Sequence, residues 1–440
     1  MSATMTGIYA APAEISAGNR DPFLFRRART WWLLLALFLM AQENGLFTRQ
    51  DSKYWALNGS RFESSPVFLM LTIALWLICA GLMFGHIRPT LRTMFKQKAV
   101  LAFPILALIS ICWSQDPSLT LRKAILLTLL SSFAWFFATS YSPGDQRRLL
   151  LALGFIVALS SITMALFLPV YGIASTGEWK GVFAQKNHLG LCMAFAFSSL
   201  PFYRFTNGLG LLKIVSLAVL PIGLILLSDS KTSLILVVVL VAVRIIGPLM
   251  VRARREQLAF ILYSVSIGVL AASFAATVGR EIILPALGRD ATLTGRTEHW
   301  ALLGTFAIRH LWLGYGYHAF WTNHGDALSV MKAVGAGMTG SDSGYLDTLL
   351  QFGVVGIGAM VIILLVSFRD FLRLLRSPSV PLLAFWYAGL ILMVYVGSVT
   401  EGLFPGSGGM STFVFVLACA SLRTLSEQCR FAGLAQGSKL

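Results

Sequence analysis

Lys186, Lys231, Arg296 and Asp342 are the ionisable residues of this chain whose settings point to chemistry. Each stands beside an apolar run, where polar groups are costly and mark functional positions. Lys186, Asn187 and His188 close a polar segment, 177–190, that runs into an apolar stretch. Lys231 sits in Ser228-Asp229-Ser230-Lys231-Thr232-Ser233, and Asp342 in Ser341-Asp342-Ser343-Gly344-Tyr345-Leu346-Asp347. Arg296 lies in Gly295-Arg296-Thr297-Glu298-His299-Trp300, which reads as a helix start with Thr294 as N-cap. Trp300, Leu303 and Ala307 then share one face of that helix, and Arg296 and His299 another. A helix N-terminus favours anions, and an arginine there adds a planar fork for phosphate. Cations without paired carboxylates suit a phosphate-bearing substrate, and a nearby carboxylate suits removal of a proton from an attacking hydroxyl. That pairing fits transfer of a sugar from a lipid diphosphate. With no CxxC or HExxH spacing, neither a metal nor a cofactor is expected.

The elements that must hold these groups are membrane helices. Apolar residues make up 56% of the chain and charged residues 12%, yet the net charge is +16. Soluble domains carry about 25% charged residues. Apolar runs give twelve expected spans near 31–48, 66–85, 99–113, 124–141, 149–171, 188–203, 209–228, 233–250, 258–278, 345–368, 381–399 and 408–424. The third and sixth are short or carry polar interruptions. Most of the 35 lysines and arginines fall in alternate connections, beginning with Arg20, Arg26, Arg27 and Arg29. By the positive-inside rule both termini, 1–30 and 425–440, are expected in the cytoplasm around one membrane domain, 31–424. The first 30 or so residues are polar and small, so the first span is expected to serve as the insertion signal. The basic stripes border spans, so their expected partner is the anionic cytoplasmic leaflet and not nucleic acid. Cys79, Cys112, Cys192, Cys419 and Cys429 avoid the outward loops, and no disulfide framework is expected.

One outward segment is far longer than a connection needs. Residues 279–344 carry Trp300, Trp312, Tyr315, Tyr317, Phe320 and Trp321 beside Arg280, Arg289, Arg296 and Arg309. Loops beyond about 15 residues are uncommon unless they fold or function. A partly helical cap lying on the membrane is expected here.

Gly181-Val182-Phe183-Ala184-Gln185-Lys186-Asn187-His188-Leu189-Gly190 resembles the signature of the O-antigen ligase and Wzy-type polymerase superfamily. Trp113-Ser114-Gln115-Asp116-Pro117-Ser118-Leu119, Ser230-Lys231-Thr232, Gly295-Arg296-Thr297 with Trp300, and Gly344-Tyr345-Leu346-Asp347 before Gly353-Val354-Val355-Gly356 follow in that family's order. The likeness covers roughly residues 30–425, and the Lys-Asn-His and Gly-Arg-Thr segments are most similar to the exopolysaccharide polymerase branch. It implies an all-α, GT-C-like polytopic protein of about twelve helices in the bacterial inner membrane. It also implies a metal-independent, inverting glycosyltransferase acting outside that membrane on undecaprenyl-diphosphate-linked glycans. Carried over, Arg296 and Lys231 hold the diphosphate and Asp342 takes the acceptor proton. Lys186, Asn187, His188, His299 and Tyr345 form the rest of the substrate site. Members often have arginine where this chain has Lys231, which keeps the charge and loses the fork. Many ligases have a histidine and an asparagine before Gly-Tyr-Leu, where this chain has Asp342-Ser343. Asp342 is therefore either the base or an orienting group with His299 or His318 as base.

Three activities compete for such a chain. A polymerase joins lipid-linked repeat units, and its implied partners are a flippase and a chain-length regulator. A ligase moves a finished glycan to a lipid or protein acceptor with the same donor chemistry. A transporter or flippase predicts internal repeats and broken helices with charges near the bilayer midplane. Here no repeat is visible, and charges gather at span ends apart from Arg244.

Overall fold

Prolines and short polar caps decide where several helices begin. The computed structural model describes residues 23–41, 66–200, 208–252, 296–322, 326, 329–330, 340–375, 382–406 and 409–437. The first helices are α1 (Phe23–Ala41), α2 (Pro66–Phe84), α3 (Ile87–Lys96), α4 (Lys98–Ile109), α5 (Pro117–Ser140) and α6 (Pro143–Phe167). Then come α7 (Lys186–Ser198), α8 (Gly208–Leu227), α9 (Lys231–Arg252), α10 (Arg296–Arg309), α11 (Gly344–Leu375), α12 (Leu382–Gly397) and α13 (Met410–Gly437). Pro117 opens α5 behind Asp116, whose carboxylate accepts the Leu119 N–H at 2.9 Å. Pro143 opens α6 behind Ser142, whose hydroxyl accepts the Asp145 N–H at 3.2 Å. Each cap satisfies a donor that the first helical turn leaves orphaned.

Among the described residues the protein is helical, with one isolated β-bridge between Ile173 and Trp179. Among the described residues four helices, α5, α6, α11 and α13, are long and apolar enough to cross a membrane, or five if the bent pair α2–α3 is one span. A helix occupies each expected span except 258–278, which lies outside the described residues. Shorter apolar stretches of 10–17 described residues lie in α1, α4, α8, α9 and α12. Helix α1 starts earlier than expected, so Arg26, Arg27 and Arg29 ride on it instead of preceding it. Arginine is a good helix former.

α13 is the axis. Its apolar window is 83% buried against 39–56% for the other three long helices, which keep a face toward lipid. It packs on α5, α11 and α12, and its Phe413 and Phe415 meet Phe133, Phe137, Tyr395 and Phe404. At its far end Asp370, with only 2% of its side chain exposed, takes Arg423 at 3.0 Å and Arg369 and Arg373 at 3.3 Å. That arginine-rich end lies opposite the turn where α13 begins.

α11 is broken, and the break seats the cap. Gly353 has φ 64° and ψ −155°, so the helical ladder stops there and restarts. The backbone groups this frees are taken by the segment after α10. Tyr315 N–H donates to the Leu350 carbonyl at 2.7 Å and Gly316 N–H to that of Gln351 at 3.1 Å. In return Val354 N–H donates to the Leu311 carbonyl at 2.8 Å. Non-helical backbone at membrane depth persists only where protein satisfies it. Above the break, Leu303, Phe306, Ala307, Tyr315, Phe320, Val330 and Leu350 form a second core separate from the bundle's. The described part of the long segment thus folds into a core of its own over the break, and is called the cap below.

Candidate functional site

The turn between α12 and α13 collects the starts of three helices. From α7, Asn187 Nδ2 donates to Glu401 Oε1 at 2.7 Å. From α9, Thr232 and Thr400 share a hydroxyl hydrogen bond of 2.9 Å. From α11, Gly344 N–H donates to the carbonyls of Ser398 at 2.8 Å and Glu401 at 3.1 Å. Segments distant in sequence therefore meet at Ser398–Glu401, and Lys186, Lys231 and Asp342 stand within two residues of these contacts. Helix N-termini carry partial positive charge, and the three that meet here do so beside Lys186 and Lys231 and the carboxylates of Glu178, Asp229 and Glu401.

Lys186 is not an unpaired cation. Its Nζ lies 2.8 Å from Glu178 Oε1 and 3.7 Å from Asp229 Oδ2. The hydrogen bond from Lys186, then one from the Thr176 hydroxyl, holds the Glu178 carboxyl down at about 2. Such a carboxylate favours the fold above its ordinary value of 4.5, and that contribution fades as pH falls toward 2. Both side chains are partly exposed, so solvent screens the pair and the effect is modest. In Lys186→Met, thermal stability followed from pH 5 to about 2 is expected to lose the part of its acid slope that Glu178 supplies. Lys231, the first residue of α9, is exposed and adds an accessible positive charge to this corner. His188 turns its ring edge toward Phe183 at 6.5 Å and lines a cleft of about 50 Å³ with Gly402, Leu403, Met410 and Ser411.

The Asp342 turn is held from both sides. Asp342 is exposed with φ 52°, a left-handed conformation that aspartate tolerates better than most residues. The Ser341 hydroxyl donates to the Ser343 carbonyl at 2.8 Å and accepts the Ser343 N–H at 3.1 Å. Asp347 Oδ1 accepts from Ser341 N–H at 3.1 Å and from Trp321 Nε1 at 3.3 Å. From the cap, Trp300 Nε1 donates to the Ser341 carbonyl at 2.8 Å. Trp300 lies one turn beyond Arg296 on α10, so the start of that helix is tied to the turn bearing Asp342. The side chain of Arg296 lies outside the described residues. His299 is half-buried on the same helix. The Tyr345 hydroxyl donates to the Tyr395 carbonyl at 2.8 Å, which makes it a clasp between α11 and α12.

The O-antigen ligase family profile matches residues 216–361. That stretch resembles the O-antigen ligase family. The chain is also 28% identical over 351 residues to the exopolysaccharide production protein ExoQ of Rhizobium meliloti (strain 1021), covering 76% of this chain and 78% of that protein. Together they bear out the likeness to the O-antigen ligase and Wzy-type superfamily, exopolysaccharide branch, and with the apolar helices they mark a membrane protein. The matched domain contains Lys231, Arg296, His299, Asp342, Tyr345 and the break at Gly353. Lys186, Asn187, His188 and Glu401 lie outside it, so the corner is assembled by the whole bundle.

Sequence reasoning missed Glu401, Asp347 and the two carboxylates on Lys186. Glu401 is an acid at the end of an apolar run, the same signal that marks Lys231. Glu178, Asp229 and Asp347 stand inside the polar segments already singled out, and their pairing depends on contacts that spacing does not reveal.

Proposed function

We propose that the protein polymerises undecaprenyl-diphosphate-linked exopolysaccharide repeat units at the outer face of the bacterial inner membrane. In this reading about twelve spans leave both termini in the cytoplasm. The observation that carries it is the meeting of three helix starts at Ser398–Glu401, with the exposed Lys231 and the pinned Asp342 turn beside it. Lys231 and Arg296 hold the diphosphate of the donor and take up the charge that grows on it as the bond breaks. The acceptor sugar hydroxyl attacks the anomeric carbon from the opposite face. The carbon–oxygen bond to the diphosphate breaks, a glycosidic bond forms with inversion, and the hydroxyl proton passes to Asp342. Asn187, His188 and His299 border the sugar, and Lys186 acts through Glu178 and Asp229. The name of the ExoQ relative supports exopolysaccharide as the product class.

Other features weigh against transport. The break in α11 is closed by cap backbone, whereas transporter breaks coordinate ions or substrate. A ligase is the second reading, favoured by the resemblance to the O-antigen ligase family. Lipid-linked intermediates from cells lacking the protein, weighed by mass spectrometry, separate the readings. Single repeat units accumulating on undecaprenyl diphosphate are the expected result. Full-length chains retained on the lipid would make it a ligase, and units trapped on the cytoplasmic side would make it a flippase.

A further inference from the structure

We propose that α3 is a helix lying in the plane of the membrane surface, at the end opposite the candidate site, where Arg88 and Arg92 bind the phosphates of anionic lipid headgroups. The apolar stretch Ile73–Phe84 of α2 and the helix Ile87–Lys96 meet at 95°, so where α2 runs along the bilayer normal α3 runs along its surface. Contacts fix the bend. The His86 ring packs edge-on against Phe136 at 6.1 Å, and the Thr90 hydroxyl donates to the His86 carbonyl at 2.8 Å. At the other end the buried Gln97 donates to the Ala420 carbonyl at 3.2 Å and accepts from Trp135 Nε1 at 3.0 Å. Lys96 reaches Glu427 at 3.4 Å, on the half of α13 remote from Met410.

At 100° per residue the ten residues of α3 divide into three faces. Thr90 and Met94 face the bundle. Ile87, Leu91 and Phe95, spaced at i, i+4 and i+8, form a stripe that is 52%, 42% and 62% exposed. Arg88, Arg92 and Lys96 form the adjoining exposed stripe. The apolar stripe continues from Phe84, the last residue of α2, which is 86% exposed. An exposed apolar row with a basic row beside it, held at right angles to a membrane helix, is the geometry of an interfacial helix. The apolar row sinks to the acyl boundary, and the basic row sits at the depth of the phosphates. The arginines of the Asp370 cluster, Arg369, Arg373 and Arg423, share this end and add to its positive field. Charge complementarity therefore selects anionic lipids over zwitterionic ones.

The test uses the full chain purified in detergent, with retained lipid counted by native mass spectrometry. The probes are phosphatidylglycerol and phosphatidylcholine of identical acyl chains. The parent is expected to retain phosphatidylglycerol preferentially, and each arginine removed to weaken that retention about five-fold. Arg88→Gln/Arg92→Gln should then bring the two lipids close to parity, while Arg88→Lys/Arg92→Lys keeps the preference. Phe95→Ser separates lipid from free phosphate, because it weakens lipid retention and leaves binding of inorganic phosphate unchanged. Equal retention of both lipids by the parent, an undiminished preference in the double glutamine variant, or displacement of the lipid by inorganic phosphate alone would each overturn the proposal.

Discussion

Asp342→Asn is expected to stop polymer formation while the protein still folds and reaches the membrane. The substitution keeps size and hydrogen-bonding shape, and asparagine tolerates the φ of 52° as aspartate does. The Ser341–Ser343 bonds and the Trp300 contact that hold the turn do not involve the Asp342 carboxylate. What is lost is the ability to take a proton, a contribution of about 10²–10⁴-fold in rate. Polymer should fall below detection and lipid-linked units accumulate, at unchanged protein abundance. Arg296→Ala is expected to match this loss, because removing one group that stabilises developing charge costs about 10²–10³-fold. Lys231→Arg should retain activity, since the fork adds geometry to the charge already present. If Asp342→Asn kept polymer within a few-fold of the parent, the base would have to be His299. His318 is the weaker substitute. Burial, and then the nearby Lys123, hold its imidazole down to about 3, so it has little pull on a proton at neutral pH.

Much of this corner was legible because polar residues at the ends of apolar runs are expensive. Lys186, Lys231 and Asp342 each announce themselves that way, and the structure gathers their segments at Ser398–Glu401. The cap was legible from its aromatics, and its helix from the spacing of Trp300, Leu303 and Ala307. The turn that organises the corner was not. Thr400-Glu401-Gly402 reads as an ordinary connection until Asn187 and Gly344 are seen to converge on it. α3 was hidden for another reason. A ten-residue amphipathic helix fails any search for long apolar runs, and its arginines read as loop charge. The break in α11 was the deepest omission, since Gly353 sits in a continuous apolar run where one glycine is compatible with an unbroken helix. Only the partner backbone gives the break its meaning.

That break makes Gly353→Ala the substitution expected to harm the fold most. A methyl group there would lie 2.3 Å from the Trp312 carbonyl carbon and 2.4 Å from the Leu311 oxygen. Both are backbone atoms, so no rotamer change relieves the clash. The residue would also hold φ 64° with ψ −155°, a conformation essentially reserved for glycine, at about 1–3 kcal/mol. Unseating the cap would strand the Tyr315, Gly316 and Val354 amides and their acceptors, at about 1–3 kcal/mol for each bond left unmade. Gly314→Ala attacks the same joint from the cap, where its methyl would meet the backbone of Leu350, Gln351 and Phe352 at 2.5–2.6 Å. Because either substitution alone opens the joint, the double variant should cost little more than one of them, far from additive. Gly358→Ala, further along the same helix with nothing within 4 Å of its added methyl, is the matched control and should gain about 1 kcal/mol. Thermal unfolding in detergent, with protease sensitivity of residues 310–322 as the local readout, separates these outcomes. A Gly353→Ala protein as resistant as the Gly358→Ala control would mean that the break in α11 does not seat the cap. The tie between Trp300 and the Asp342 turn would then have to hold it alone.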